Sequence, residues 1–353
     1  MHEAPMKCTT LLAAVLACAA LPAWPQSVSA AATGSSSNRR ITLDVVVTDK
    51  SGNPVAGLQQ QDFTILDNKR PQAIASFHAL AEAGRADDPP QRVVFVIDEV
   101  NVAFLAMEHA RQQLEKYLRQ DGGQLPVPAS LVIFSEKSTQ VQGAPTRDGN
   151  ALAESVHALD VGAARGNELE STLLRLQTSL RVFGKLVAYE ATQPGRKLLI
   201  WLGPGWPLIW DSADKLLANE QQTDFHTLVK LSTGLREAQV TAYSVDPLGE
   251  ADAASLRNVF YENFLDGAPS AKKFRSGDLA LAVFAVHSGG LVMNRSNDVA
   301  GLIATCVADA RSYYTLAFDS VPATHPDEYH DLQVKVDKPG FVVRTQAGYY
   351  AQP

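Results

Sequence analysis

Cysteine is scarce in this chain, with three in 353 residues. Cys8 and Cys18 fall in the first twenty positions, so a chain that loses its leading segment keeps Cys306 alone. A single cysteine excludes an internal disulfide framework. Basic charge is also short: 31 Lys and Arg stand against 38 Asp and Glu, for a net charge of -7. That balance lacks the footprint of a nucleic-acid binder. No apolar run reaches the roughly 20 residues that a membrane-spanning helix needs. Glycine and proline are near average use, which leaves no large disordered block. Catalytic signatures are missing as well. The eight histidines form no H-E-x-x-H, and there is no G-x-S-x-G elbow or P-loop.

What is present begins at the N-terminus. Lys7 precedes the apolar run from Leu11 to Leu21, Pro22 and Pro25 end it, and Val28-Ser29-Ala30 follows. A positive start, a short apolar core and a small-x-small exit describe a secretory signal peptide. Residues 1–30 are therefore expected to be removed near Ala30, residues 31–40 to serve as a linker, and the mature protein to be secreted or periplasmic. It would then carry no transmembrane span.

The rest of the chain changes texture twice. Residues 41–80 hold β-branched, partly alternating segments such as Ile41-Thr42-Leu43-Asp44-Val45-Val46-Val47, broken by turn signals at Gly52, Pro54 and Asn68. These read as strands. Residues 81–91 read as a linker. Residues 92–311 alternate apolar strand-like runs with helical stretches. The run Val93–Ile97 closing on Asp98 suits a strand buried on both faces of a parallel sheet. From residue 312 to 350 the texture returns to β, with clean alternation from Tyr329 to Val336. The expected fold class is α/β: a doubly wound, mostly parallel, Rossmann-type sheet. The two β flanks are expected to share one β-sandwich, since neither is large enough to bury a core alone.

A strand ending in Asp98, then a helix, then the buried strand Ala129–Phe134 resembles the von Willebrand factor A-type (VWA) fold. The flanks sharpen the resemblance. Asp44-Val45-Val46-Val47-Thr48-Asp49 with Gly57-Leu58 and Asp62-Phe63 is similar to the opening of acidobacterial-type VWA-related proteins. Tyr314-Thr315-Leu316, Val334-Lys335-Val336 and Gly348-Tyr349 are similar to their close. The resemblance implies an exported protein and, in complete members, a divalent cation held by Asp-x-Ser-x-Ser plus a Thr and an Asp from two other loops. Here the motif reads Asp98-Glu99-Val100-Asn101-Val102. Both serine positions hold Val, and the third loop reads Gly203-Pro204-Gly205 in place of an acid. No metal and no other cofactor is expected, with Mg²⁺ at Asp98, Glu99 and Asn101 as the alternative.

Asp98 and Asp246 both end predicted strands, and so converge on one sheet edge. They read as caps of the following loops, or as an acid–base pair of a hydrolase. The loop from Gly203 to Trp210 carries Trp206 and Trp210, which either pack down over the altered site or serve as anchors for a partner. The candidate partner-binding set is thus Asp98, Asn101, Trp206, Trp210 and Asp246, for a non-enzymatic module that binds another protein or an envelope component. Cys306, in an amphipathic helical pattern, reads as a buried thiol. His325 and His330 read as surface residues. Ser288-Gly289-Gly290 reads as a helix end before a strand.

Overall fold

A computed structural model of the chain describes residues 39–80, 89–135, 139–159, 169–207, 218–250 and 262–353. The predicted signal segment and Trp210 lie outside the described residues.

The first flank supplies β1 (Arg40–Asp49), β2 (Phe63–Asp67), β3 (Arg70–Gln72) and β4 (Ser76–Leu80). The last supplies β11 (Tyr313–Asp319), β12 (Glu328–Val336), β13 (Phe341–Arg344) and β14 (Gly348–Ala351). They interleave into two antiparallel four-stranded sheets, in the orders β13-β1-β11-β4 and β14-β12-β2-β3. Each sheet draws two strands from each flank. Alternate residues of β1, Ile41, Leu43, Val45 and Val47, point into a shared core with Ile65, Leu316, Phe318, Leu332 and Val334. The period-2 pattern of the sequence becomes one face of a sandwich.

Between the flanks lies a six-stranded sheet in the order β10-β9-β8-β5-β6-β7. Its strands are β5 (Gln91–Asp98), β6 (Gln124–Phe134), β7 (Thr139–Asp148), β8 (Arg196–Leu202), β9 (Val240–Val245) and β10 (Val292–Met293). The pairings are parallel throughout except β7 on β6. Counted within this unit the order is 6-5-4-1-2-3, the doubly wound arrangement, and β5 and β8 flank its switch point. The central run of β5 feeds two cores by alternation. Val94 and Val96 join one cluster, while Val93, Phe95 and Ile97 join the other. The first core is closed by α3 (Leu169–Ala191), α4 (Ala218–Glu237) and α5 (Leu281–His287). The second is closed by α1 (Phe104–Leu118), α2 (Gly149–His157) and α6 (Val299–Ala308).

Several elements, among them β3, β7, α2 and β14, have no counterpart in the sequence reading. β7 is almost wholly exposed and carries Gly143 and Pro145, so neither alternation nor an apolar run marks it. The helix end at Ser288 is as expected. Gly289, at φ 89°, takes the left-handed position, its N–H meets the Val286 carbonyl, and the Gly290 N–H meets Ala285. That is the Schellman pattern of bonds.

His330 departs from expectation. It is 5% exposed, inside the sandwich rather than on its surface. The reason is phase: even-numbered residues of β12 face inward, so His330 shares a face with Leu332 and Val334. Its Nδ1 lies 2.8 Å from Asp67 Oδ1, and the Tyr349 hydroxyl donates to Asp67 Oδ2 at 2.8 Å. Cys306 is buried, and burial pushes its thiol well above the usual range.

Candidate functional site

Asp98 is the last residue of β5, on the same sheet face as Val94 and Val96. Val96 stands in register with Trp201 of β8, which places the Trp201 indole diagonally beside the Asp98 carboxylate. Gly203 permits this approach, since a Cβ there would sit 3.1 Å from the Asp98 Cβ. Asp98 is 0% exposed. Its Oδ1 accepts from the backbone N–H of Val100 at 3.0 Å and of Asn101 at 2.9 Å. Its Oδ2 accepts from Asn101 Nδ2 and from Trp201 Nε1, both at 2.8 Å. Asn101 Nδ2 also donates to Ser179 Oγ of α3 at 2.9 Å, which ties the loop to the far helix. Burial raises the Asp98 carboxyl above its ordinary value, and the Asn101 and Trp201 bonds oppose that rise.

The chemistry of this donor set does not fit a hard cation. A carboxylate offers about four lone-pair sites, and four N–H groups meet them. Val100 and Val102 bring no side-chain oxygen, Ser179 Oγ already bonds Asn101 and the Arg175 carbonyl at 2.8 Å, and the buried Asn101 Oδ1 is left as a lone amide oxygen without a hydrogen-bond partner. Mg²⁺ prefers near-octahedral oxygen coordination. Among the described residues, no group of three or more His, Cys, Asp or Glu stands close enough to hold a metal. The loop predicted near Gly166-Asn167-Glu168 lies outside the described residues.

Trp206 follows four residues after β8 and turns inward. It is 1% exposed and packs against Trp201, Phe183 and Phe284, with ring centroids 5.7, 5.2 and 5.9 Å away. Neither Asp98 nor Trp206 therefore offers a surface to a partner. Asn101 is half-buried, and Glu99 beside it is partly exposed with its N–H on the Phe134 carbonyl. Asp246 sits just past β9, 3% exposed, and accepts from the Leu248 N–H at 2.9 Å. β8 runs between β5 and β9, so the backbones carrying Asp98 and Asp246 stand about 10 Å apart. Each carboxylate caps its own loop.

One feature of this edge escaped the sequence reading. Phe104 and Leu105 open α1 directly after the Asp98 loop, and they are 40% and 80% exposed. The core phase of that helix runs Met107, Ala110, Leu114, Tyr117 and Leu118. Leu105 falls off that phase, a signal available in the spacing.

No family model matches this chain, and no curated protein does. Solved structures similar to it include an aerotolerance-related membrane protein from Bacteroides fragilis NCTC 9343, at 9% identity and a TM-score of 0.36, over 63% of this chain and 99% of that one. The SpRpn10 VWA domain matches at 12% identity and a TM-score of 0.28, over 61% and 93% of the two chains. The human COPII-coat protein Sec24c matches at 10% identity and a TM-score of 0.33, over 74% and 44%. The α/β class of this chain rests on its own strand order and register, not on these likenesses.

Proposed function

We propose that this chain is an exported, non-catalytic protein-interaction module of VWA type, in which the cation site has been rebuilt as hydrogen-bonded core. One observation carries the reading: all four acceptor positions of Asp98 are taken by uncharged N–H donors in a water-excluded setting. The N-terminal signal pattern supports export to the periplasm or beyond. The finer likeness to acidobacterial-type VWA-related proteins rests on the flanking motifs from Asp44 and Tyr314. A non-catalytic role is supported by the separation of Asp98 from Asp246, each committed to a loop.

With the carboxylate sealed, the partner face shifts to what the same edge exposes, namely Phe104 and Leu105. An apolar pair at the start of a helix, fixed by the loop that Asp98 caps, suits an anchor on a protein partner. Capture from the native envelope fraction tests this. Binding should persist in EDTA and fall at least about tenfold when Leu105 becomes Glu. Release by EDTA with recovery in Mg²⁺ would instead establish the metal-dependent adhesin.

A further inference from the structure

Glu328 and His330 stand two apart on β12, so both side chains leave the same face of the strand. Glu328 opens the strand with its side chain 25% exposed, while the His330 side chain is 7% exposed. The His330 ring is held from behind. Its Nδ1 faces Asp67 Oδ1 at 2.8 Å, and the Tyr349 hydroxyl lies 3.1 Å from the same nitrogen while donating to Asp67 Oδ2. A carboxylate only accepts, so Nδ1 carries a proton and donates it to Asp67. The forward nitrogen, Nε2, is buried and has no hydrogen-bond partner. In front of it stands Glu328 Oε1 at 3.7 Å, too far for a hydrogen bond. The other oxygen, Oε2, accepts from the Thr324 N–H and from the Thr324 hydroxyl at 2.8 Å, which holds the Glu328 carboxyl below its usual range. An unpartnered imidazole nitrogen thus faces one oxygen of a fixed carboxylate across a gap.

The gap has the size of a shared ion. Two ligands about 2.0–2.1 Å from one tetrahedral zinc stand about 3.4 Å apart, and a somewhat wider angle reaches the observed 3.7 Å. Asp67 supplies the carboxylate that a metal-bound histidine ordinarily meets on its far nitrogen, where it fixes the tautomer and the ring orientation. We propose that His330 Nε2 and Glu328 Oε1 bind a zinc-class divalent ion, with Asp67 and Tyr349 positioning the ring and water filling the remaining places. Two protein ligands suffice for this reading, in keeping with the lack of any metal-holding group of three among the described residues. The site lies in the sandwich and is independent of the Asp98 edge and of the interaction-module reading.

The test titrates zinc chloride into the full mature chain by calorimetry, with histidine ¹⁵N shifts recorded alongside. A one-to-one isotherm is expected, with His330 Nε2 as the ring nitrogen that moves. Mg²⁺, Ca²⁺ and Mn²⁺ should give no saturable heat, since imidazole suits zinc better and Mn²⁺ stands lowest in the affinity order. Glu328→Gln keeps an acceptor for Thr324 and removes the charge, so zinc affinity should fall at least about tenfold. Asp67→Asn should weaken binding by about tenfold or more through the ring it positions. His330→Gln should abolish binding. Circular dichroism confirms that each variant folds, and the partly exposed Glu328→Gln carries the test if His330→Gln does not. His226 and His325 are the exposed imidazoles on neighbouring segments, so replacing both by Ala should leave the affinity unchanged. Absence of saturable zinc binding, an unchanged affinity in Glu328→Gln, or loss of binding in the His226, His325 double variant overturns the proposal.

Discussion

Two buried carboxylates at opposite ends of the central sheet are held in different ways. Asp98, at the carboxyl edge, meets only neutral donors from its own loop and from Trp201. Asp309, at the amino edge just past α6, meets the Arg344 guanidinium at 2.7 and 2.8 Å and the Tyr243 hydroxyl at 2.7 Å. Its carbonyl accepts from Arg196 Nη1 at 2.7 Å, and Arg196 in turn pairs with Asp44 at 3.2 Å and lies over the Tyr313 ring. Arg344, Asp44 and Tyr313 belong to the sandwich. Charge is therefore used where two units must be held in register, and neutral hydrogen bonds where a single loop must be closed. A buried ion pair fixes a geometry strongly because breaking it strands a charge. A carboxylate saturated by neutral donors satisfies its lone pairs and gives up its capacity for a cation.

The comparison can be broken by substitution. The largest effect belongs to the packing above Asp98: Trp206→Ala should lower unfolding free energy by about 3–5 kcal/mol in urea denaturation, as expected for a large aromatic removed from a core. A loss below about 1 kcal/mol would mean that the ring is not part of that core. Next comes the ionic end. Asp309→Asn leaves Arg344 without its carboxylate and should cost about 2–3 kcal/mol. Asp98→Asn should cost less, about 1–2 kcal/mol, because its partners are uncharged and one amide orientation still accepts two of the four bonds. If Asp98→Asn proves the more damaging, the contrast between the two ends fails.

The pH dependence sharpens the same contrast. Burial raises the folded-state Asp98 pKa above its ordinary 3.8. The folded protein then holds this proton at pH values where the unfolded chain has lost it. The contribution is fully present below the unfolded value and declines as pH rises through the folded one. The stability of the parent chain relative to Asp98→Asn should therefore fall as pH climbs from about 3.8 and level off once Asp98 is ionised in the fold. A difference that grows with pH would mean that the N–H donors outweigh burial at Asp98 and hold its carboxyl below the ordinary value. The smallest effect is reserved for the surface. Arg40 and Asp319 pair at 2.6 Å but are 45% and 55% exposed. Arg40→Ala should change stability by no more than about 1 kcal/mol, since solvent screens such a pair.

Much of this was legible before any coordinates. The buried run Val93–Ile97, the period-2 flanks and the Gly289 helix end all express local rules that the sequence states directly. That Val100 and Val102 offer no side-chain oxygen was equally plain. The fate of Asp98 was not, because its Oδ2 partner Trp201 comes from a strand 103 positions away. That contact depends on the β5–β8 register. Trp206 read as ambiguous for a similar reason: loop position says nothing of whether a ring turns inward, and Phe183 and Phe284, which receive it, lie on two separate helices. His330 was the avoidable error. The alternation of β12 already placed it in phase with Leu332 and Val334.

The central proposal is that the Asp98 carboxylate, filled by N–H donors, takes no cation. Calorimetric titration of Mg²⁺, Ca²⁺ and Mn²⁺ into the mature chain addresses it most directly, with melting curves taken alongside. The account predicts no saturable heat and no shift in melting temperature for any of the three ions. A one-to-one isotherm that disappears in Asp98→Asn would contradict it.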